Sequence, residues 1–173
     1  MVTSTSAIVL SKIRYKDNDI IVKLFTKEYG AISFIVKGGQ NSKKNKIKYV
    51  YFQELTILEI QFNYNLKRDL QYIKDIEIKH NYTSSHTDLV KVSVIMFLSE
   101  VLSNVITHQK RDIQLYNYIE ESLIWYDINK SNTYFHMIFL IELTRYLGFY
   151  PDMLSNNFKY FNLEGGSYEK SKT

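Results

Sequence analysis

The sequence predicts an α+β chain, with a small five-stranded β-barrel first and an all-α helical bundle second. Three observations predict it. Residues 7–78 hold five short β-branched and aromatic stretches separated by turn signals, with no clear run of helical length. At His80 the pattern changes, and three long apolar segments with helix caps follow. The charge divides at the same place: residues 1–79 carry 14 Lys+Arg against 8 Asp+Glu, and residues 80–173 carry 8 against 10. Domain boundaries of 1–79 and 80–173 follow.

The strands are justified in order. Ala7–Tyr15 is apolar and β-branched, with Ser11 and Lys12 interrupting a loose alternation. Lys16-Asp17-Asn18-Asp19 is a turn signal, and Ile20–Thr26 completes a hairpin. Lys27-Glu28-Tyr29-Gly30 is a second turn, whose glycine is free to take a positive φ. Ala31–Lys37 is the third strand and Tyr51–Phe62 a long fourth. Leu66–Ile78 has both helical and alternating spacing. A strand from about Leu70 is preferred, because four preceding strands need a partner to close the sheet. Five strands in about eighty residues suit the OB-fold, a partly open five-stranded barrel; an SH3-like barrel is the alternative on strand count alone.

The second half reads as helices. Thr87 or Asp88 caps Leu89–Ile106, which is apolar around most of its circumference and therefore expected to be largely buried. Asp112 caps a second helix to Ile128. Thr133–Leu147 is the third, with Gly148 at its C′ position and Pro151 just beyond. Short loops make these a bundle. Its aromatic stripe, Phe97, Trp125, Tyr126, Phe135, Phe139 and Tyr146, is read as core, and the tail around Phe158–Leu163 as a hairpin or frayed strand.

Composition narrows the function. The 173 residues are 45% hydrophobic and 23% charged, which is globular. The absence of cysteine excludes disulfides, thiolate zinc and cysteine nucleophiles, and fits a reducing cytoplasm. No basic run precedes an early apolar stretch, so no secretory leader is expected, and no window approaches the ~18 apolar residues of a membrane span. His80, His86, His108 and His136 lack HxxxH or HExxH spacing, and neither GxSxG, GxGxxG nor a P-loop occurs. Asp17 with Asp19, and Glu120 with Glu121, read as solvated charge. The reading is a protein without catalytic residues, metal or cofactor.

What stands out is cationic. The third strand ends in Lys37-Gly38-Gly39 and runs into a loop carrying Lys43, Lys44, Lys46 and Lys48 and no acid. Lysines can neutralise phosphates, and glycines let backbone N–H groups approach them. Arg14, Lys67 and Arg68 extend the stripe, while Tyr15, Tyr49, Tyr51 and Tyr64 are candidate platforms for base stacking. Against this stands a solvated loop in a chain rich in Ile, Asn, Lys and Tyr, as an AT-rich genome would encode. Two rivals remain open: a protein-interaction module, and an RNA-binding OB protein.

In order, these blocks resemble the RecO family of bacterial DNA repair and recombination mediators. The blocks are Ala7–Leu10, Tyr15 before an acidic turn, Ile21–Thr26, Tyr29-Gly30, Lys37-Gly38-Gly39, Asp69–Ile76, Phe97–Leu102 and Tyr146–Pro151. The resemblance implies an OB-fold followed by a helical domain. It also implies non-catalytic binding of single- and double-stranded DNA, annealing of complementary strands, and a bacterial cytoplasmic, nucleoid-associated location. The implied partners are RecR, the C-terminal tail of single-strand-binding protein and, indirectly, RecA. Two departures stand out. Some members carry a cysteine zinc site, which a chain without cysteine lacks, and members usually continue with helices past the equivalent of Thr173, so the chain reads either as a short variant or as a truncated one.

Overall fold

The computed structural model describes residues 2–16, 19–37, 49–107, 110–130, 132–151 and 159–170. Its strands β1 (Val2–Tyr15), β2 (Asp19–Thr26), β3 (Gly30–Val36), β4 (Ile57–Asn63) and β5 (Leu70–Ile78) close a barrel in the order β1-β2-β3-β5-β4. All pairings are antiparallel except β3 with β5, where Ser33, Phe34 and Ile35 face Leu70, Gln71 and Tyr72. Closure leaves so small a sheet no free edge. Alternate residues (Val9, Val22, Leu24, Ile32, Phe34, Leu58, Ile60 and Phe62 among them) fill the interior. Gly30 takes φ +71° at the β2–β3 turn, where Thr26 Oγ1 donates to its carbonyl at 2.8 Å.

Two strand boundaries differ from expectation. β1 begins at Val2, not Ala7, because its polar start pairs along β4 from Val2 opposite Asn63 to Ile8 opposite Ile57. That partner lies some fifty residues on, so local composition gives no sign of it. Tyr49–Phe52 is a turn of 3-10 helix, and β4 starts only at Ile57. Leu55 interrupts the expected long strand with φ +56°. Its N–H donates to Val9 O at 2.9 Å and its carbonyl accepts from Tyr82 Oη at 2.8 Å, so both polar groups are partnered while the side chain is buried.

Three helices follow: α1 (Leu89–Val105), α2 (Ile113–Ile128) and α3 (Phe135–Leu147). Asp88 caps α1, accepting from Val90 N and Lys91 N, and Asp112 caps α2 through Leu115 N. Gly148, at φ +85°, ends α3. A hairpin of β6 (Tyr160–Asn162) and β7 (Ser167–Glu169) completes the described chain. Two compact units result, Met1–Asn132 with the barrel, α1 and α2, and Thr133–Thr173 with α3 and the hairpin. Contrary to expectation, α1 is not largely buried: Ile95, Leu98 and Leu102 are, whereas Leu89, Val90, Met96 and Phe97 are exposed. Apolar residues ring the helix, but the barrel it leans on reaches only one side of it. The aromatic stripe divides too, with Tyr126, Phe135 and Phe139 buried and Phe97 and Trp125 about half exposed.

A buried polar clamp fixes the connector between barrel and helices. Asp127 of α2 accepts from the backbone N–H groups of Thr83, Ser84 and Ser85 and from His80 Nε2, which donates at 3.2 Å. Burial pushes its carboxyl up, but these donors outweigh burial and hold it well below the usual carboxylate range. Lys91 of α1, also buried, donates through Nζ to the carbonyls of Tyr126, Asp127 and Asn129 at 2.6–2.9 Å. A cation thus satisfies the free carbonyls at the end of α2. His86 Nε2 donates to Glu54 O at 3.0 Å, so both histidines of this loop serve structure, and no metal-binding cluster occurs among the described residues. Among them, too, no helix is long and apolar enough to cross a membrane.

Candidate nucleic-acid interface

A single bulge sets which β1 residues face outward. Val9 pairs with Leu24 and Ser11 with Lys23, leaving Leu10 as the extra residue. The bulge inverts the alternation. Val9 points into the barrel, yet beyond Leu10 it is Lys12 and Arg14 that stand opposite interior residues, Val22 and Ile20. Ser11, Ile13 and Tyr15 take the outer phase. The carbonyl of Leu10 accepts from Ser99 Oγ of α1 at 2.6 Å, and Lys23 Nζ donates to Ser103 O, also of α1, at 2.7 Å. Burial lowers the pKa of Lys23. The helix therefore covers the outer wall near Leu10 and stops at Lys23.

Beyond Lys23, among the described residues, α1 and α2 leave this part of the wall partly exposed. Ile13 pairs with Ile21, Ile21 with Ile35, and Ile35 with Tyr72, giving an outward row across β1, β2, β3 and β5. Ile13 is 60% exposed and Tyr72 46%, with Ile21 and Ile35 intermediate. Two cations converge on Tyr72: Lys37 Nζ lies 5.8 Å and Arg68 Cζ 5.7 Å from the ring centroid. Both are within cation–π range. Lys37 follows β3 directly, two residues beyond Ile35, and Arg68 sits in the β4–β5 loop. Gln71, buried inside the barrel, shapes that loop. Its amide donates to Asn65 O at 2.9 Å and Arg68 O at 2.7 Å and accepts from Asn65 N at 3.0 Å. Lys67 N donates to Asn65 Oδ1 at 2.9 Å, and its side chain is exposed. The strand 2–3 face and the loops after strands 1 and 4 are where OB-folds take oligonucleotides.

The residues singled out from sequence fall in three places. Lys37, Lys67, Arg68 and Tyr15 belong to the bare wall and its rim, where Lys16 Nζ lies 5.4 Å from the Tyr15 ring. Arg14 and Tyr49 lie elsewhere. Arg14 shares the phase of Lys12, whose Nζ reaches Phe52 O at 2.8 Å and the Tyr49 ring at 5.0 Å. Tyr51 and Tyr64 pack against the barrel core, Tyr64 with its ring 4.9 Å from that of Tyr29. Gly38, Gly39, Lys43, Lys44, Lys46 and Lys48 lie outside the described residues. Tyr72 and Gln71 were not singled out. A parallel pairing across some thirty-seven residues brings Tyr72 beside Ile35, and alternation within its own segment cannot show that.

Comparison with known proteins agrees with this architecture. The family model described as "Recombination protein O N terminal" matches residues 1–82, and "Recombination protein O C terminal" matches residues 86–172. A protein of Christiangramia forsetii named DNA repair protein RecO is 37% identical over 169 residues, covering 98% of this chain and 71% of its own. One of the same name from Flavobacterium psychrophilum is 36% identical over 168 residues, 97% of this chain and 71% of its own. A Bacteroides fragilis relative, also so named, is 34% identical over 154 residues, 88% and 63% of the two chains.

Proposed function

The chain belongs to the RecO family, whose role lies in DNA repair and recombination, and from that premise we propose that it is a non-catalytic DNA-binding mediator. The observation that carries the reading is the convergence of Lys37 and Arg68 on the exposed wall of an OB-type barrel. Cations there neutralise phosphates and release counterions, which gives affinity without sequence preference. Annealing of complementary strands needs no chemistry in this reading: neutralisation lowers repulsion between two strands, and loose binding lets bases pair. In this reading residues 1–79 grip DNA, α1 and α2 brace them, and the helical part docks protein partners. Those partners are RecR and the single-strand-binding protein tail, acting to load RecA in a bacterial cytoplasm.

The test is affinity for a single-stranded DNA oligomer across a salt series. The expected logarithmic slope against salt has a magnitude of about 0.7 per phosphate contact. Reversing Lys37 and Arg68 together to glutamate should weaken binding to all sequences alike and slow annealing of complementary strands. Affinity that is undetectable at low salt, or flat with salt, would leave only a protein-interaction module. Preference for RNA of the same sequence would point instead to 2′-OH recognition.

A further inference from the structure

We propose that the bare barrel wall is a track for unstacked bases. Tyr72 stacks one base of single-stranded DNA, Ile35, Ile21 and Ile13 carry its neighbours, and Lys37 and Arg68 hold the flanking phosphates. This rests on the reading of the barrel as a DNA-binding element and specifies how it distinguishes single strands from duplex.

The arrangement suits bases better than a phosphate backbone alone. A purely electrostatic grip needs only cations, whereas Ile13, Ile21, Ile35 and Tyr72 form a contiguous outward apolar row. The four outward side chains lie in cross-strand register, each pair on adjacent strands. Three inter-strand steps of about 4.8 Å give a row of about 14 Å, along which more than one unstacked base can lie. At one end stands an aromatic face with two cations within 6 Å. Both cations sit on flexible stems, so an arriving base displaces them from the ring toward the phosphates on either side of it. At the other side α1 ends the wall, where Lys23 is already engaged with Ser103 O at 2.7 Å. Among the described residues, the acids at this wall, Asp19 on the rim and Asp69 in the loop, flank the row and do not interrupt it. A duplex keeps its bases stacked inside and offers the row nothing, so the apolar contribution is confined to single strands.

The experiment measures affinities of the full chain for an oligo-dT, an abasic sugar–phosphate oligomer of equal length, and a duplex. The wild-type protein should prefer oligo-dT to the abasic oligomer by between about fivefold and about a hundredfold. Tyr72→Ala should remove most of that preference, lower oligo-dT affinity to the same degree, and leave duplex affinity and the salt slope unchanged. Tyr72→Phe should restore the preference. The wild-type comparison of dT with abasic oligomer needs no variant, so a folding defect cannot mask the result. Equal affinity for dT and abasic oligomers overturns the track, and if binding still falls with salt the phosphate reading survives. Equal loss of duplex and single-strand affinity in Tyr72→Ala also overturns it, making Tyr72 a support for Lys37 and Arg68. Absence of binding to all three ligands removes both readings.

Discussion

The outer wall of the barrel has two halves, made from the same strands and similar residues. Toward the helices, Ile8, Leu10 and Phe25 are buried, with the Phe25 ring 5.6 Å from Tyr116 of α2. Away from them, Ile13 is exposed and Ile21 and Ile35 are half-buried, with neither α1 nor α2 over them. One half is apolar because it must be covered for the protein to fold; the other stays apolar without cover. Stability should therefore concentrate on the covered half and binding on the bare one. That separation can be broken or sharpened by substitution.

The largest effect is expected at the clamp that holds the helices over the covered half. Asp127→Ala leaves the connector N–H groups of Thr83, Ser84 and Ser85 and the His80 ring without their buried acceptor. It should cost about 3–5 kcal/mol, read from urea unfolding. DNA affinity measured on the folded fraction should hold; loss of binding at full folding would tie the two halves together. Leu10→Ala or Phe25→Ala comes next, at about 2–5 kcal/mol each.

Acid should undo the same clamp. Asp127 is held below its ordinary range, so its stabilisation is fully present above about pH 4 and is lost as pH falls from there through its depressed folded value. Unfolding midpoints between pH 7 and pH 3 should fall in the wild type. They should fall less steeply in Asp127→Asn, which has no such proton to gain.

Substitutions on the bare half should reverse the pattern. Lys37→Gln with Arg68→Gln should change stability by no more than about 0.5 kcal/mol. The same pair should reduce the salt slope for single strands by about 1.4, two phosphate contacts' worth. Gln71→Ala is the intermediate case. It frees the loop at Asn65 and Arg68, and should weaken binding through Arg68 while costing about 1–3 kcal/mol for the polar groups left unsatisfied. Ile13→Ser is the smallest, with stability unchanged within about 0.5 kcal/mol. A large loss of stability there would mean the bare half is not bare.

Much of this was readable in advance where the cause is local. Asp88, Asp112 and Gly148 act at helix ends as their chemistry requires, because a cap needs only the neighbouring turn. The need of a four-stranded open sheet for a fifth strand outweighs the competing helical spacing, and β5 begins at Leu70. Lys37 is legible as a charge at the end of a strand and Arg68 as one in the connection between the fourth and fifth strands. The clamp was not: Lys91 and Asp127 are single polar residues on apolar helices, and nothing within either helix shows that they share the last turn of α2.

The sequence by itself determined a barrel followed by helices, the basic bias of the first half and the caps, since alternation, helical period and turn chemistry act over a few residues. Tertiary structure alone decided which apolar residues are covered. One extra residue at Leu10 turns Ile13 outward, and closure through the parallel β3–β5 pairing brings Tyr72 within reach of both Lys37 and Arg68. Those outcomes depend on strand register between distant segments, and register is set by the packing of the closed barrel as a whole.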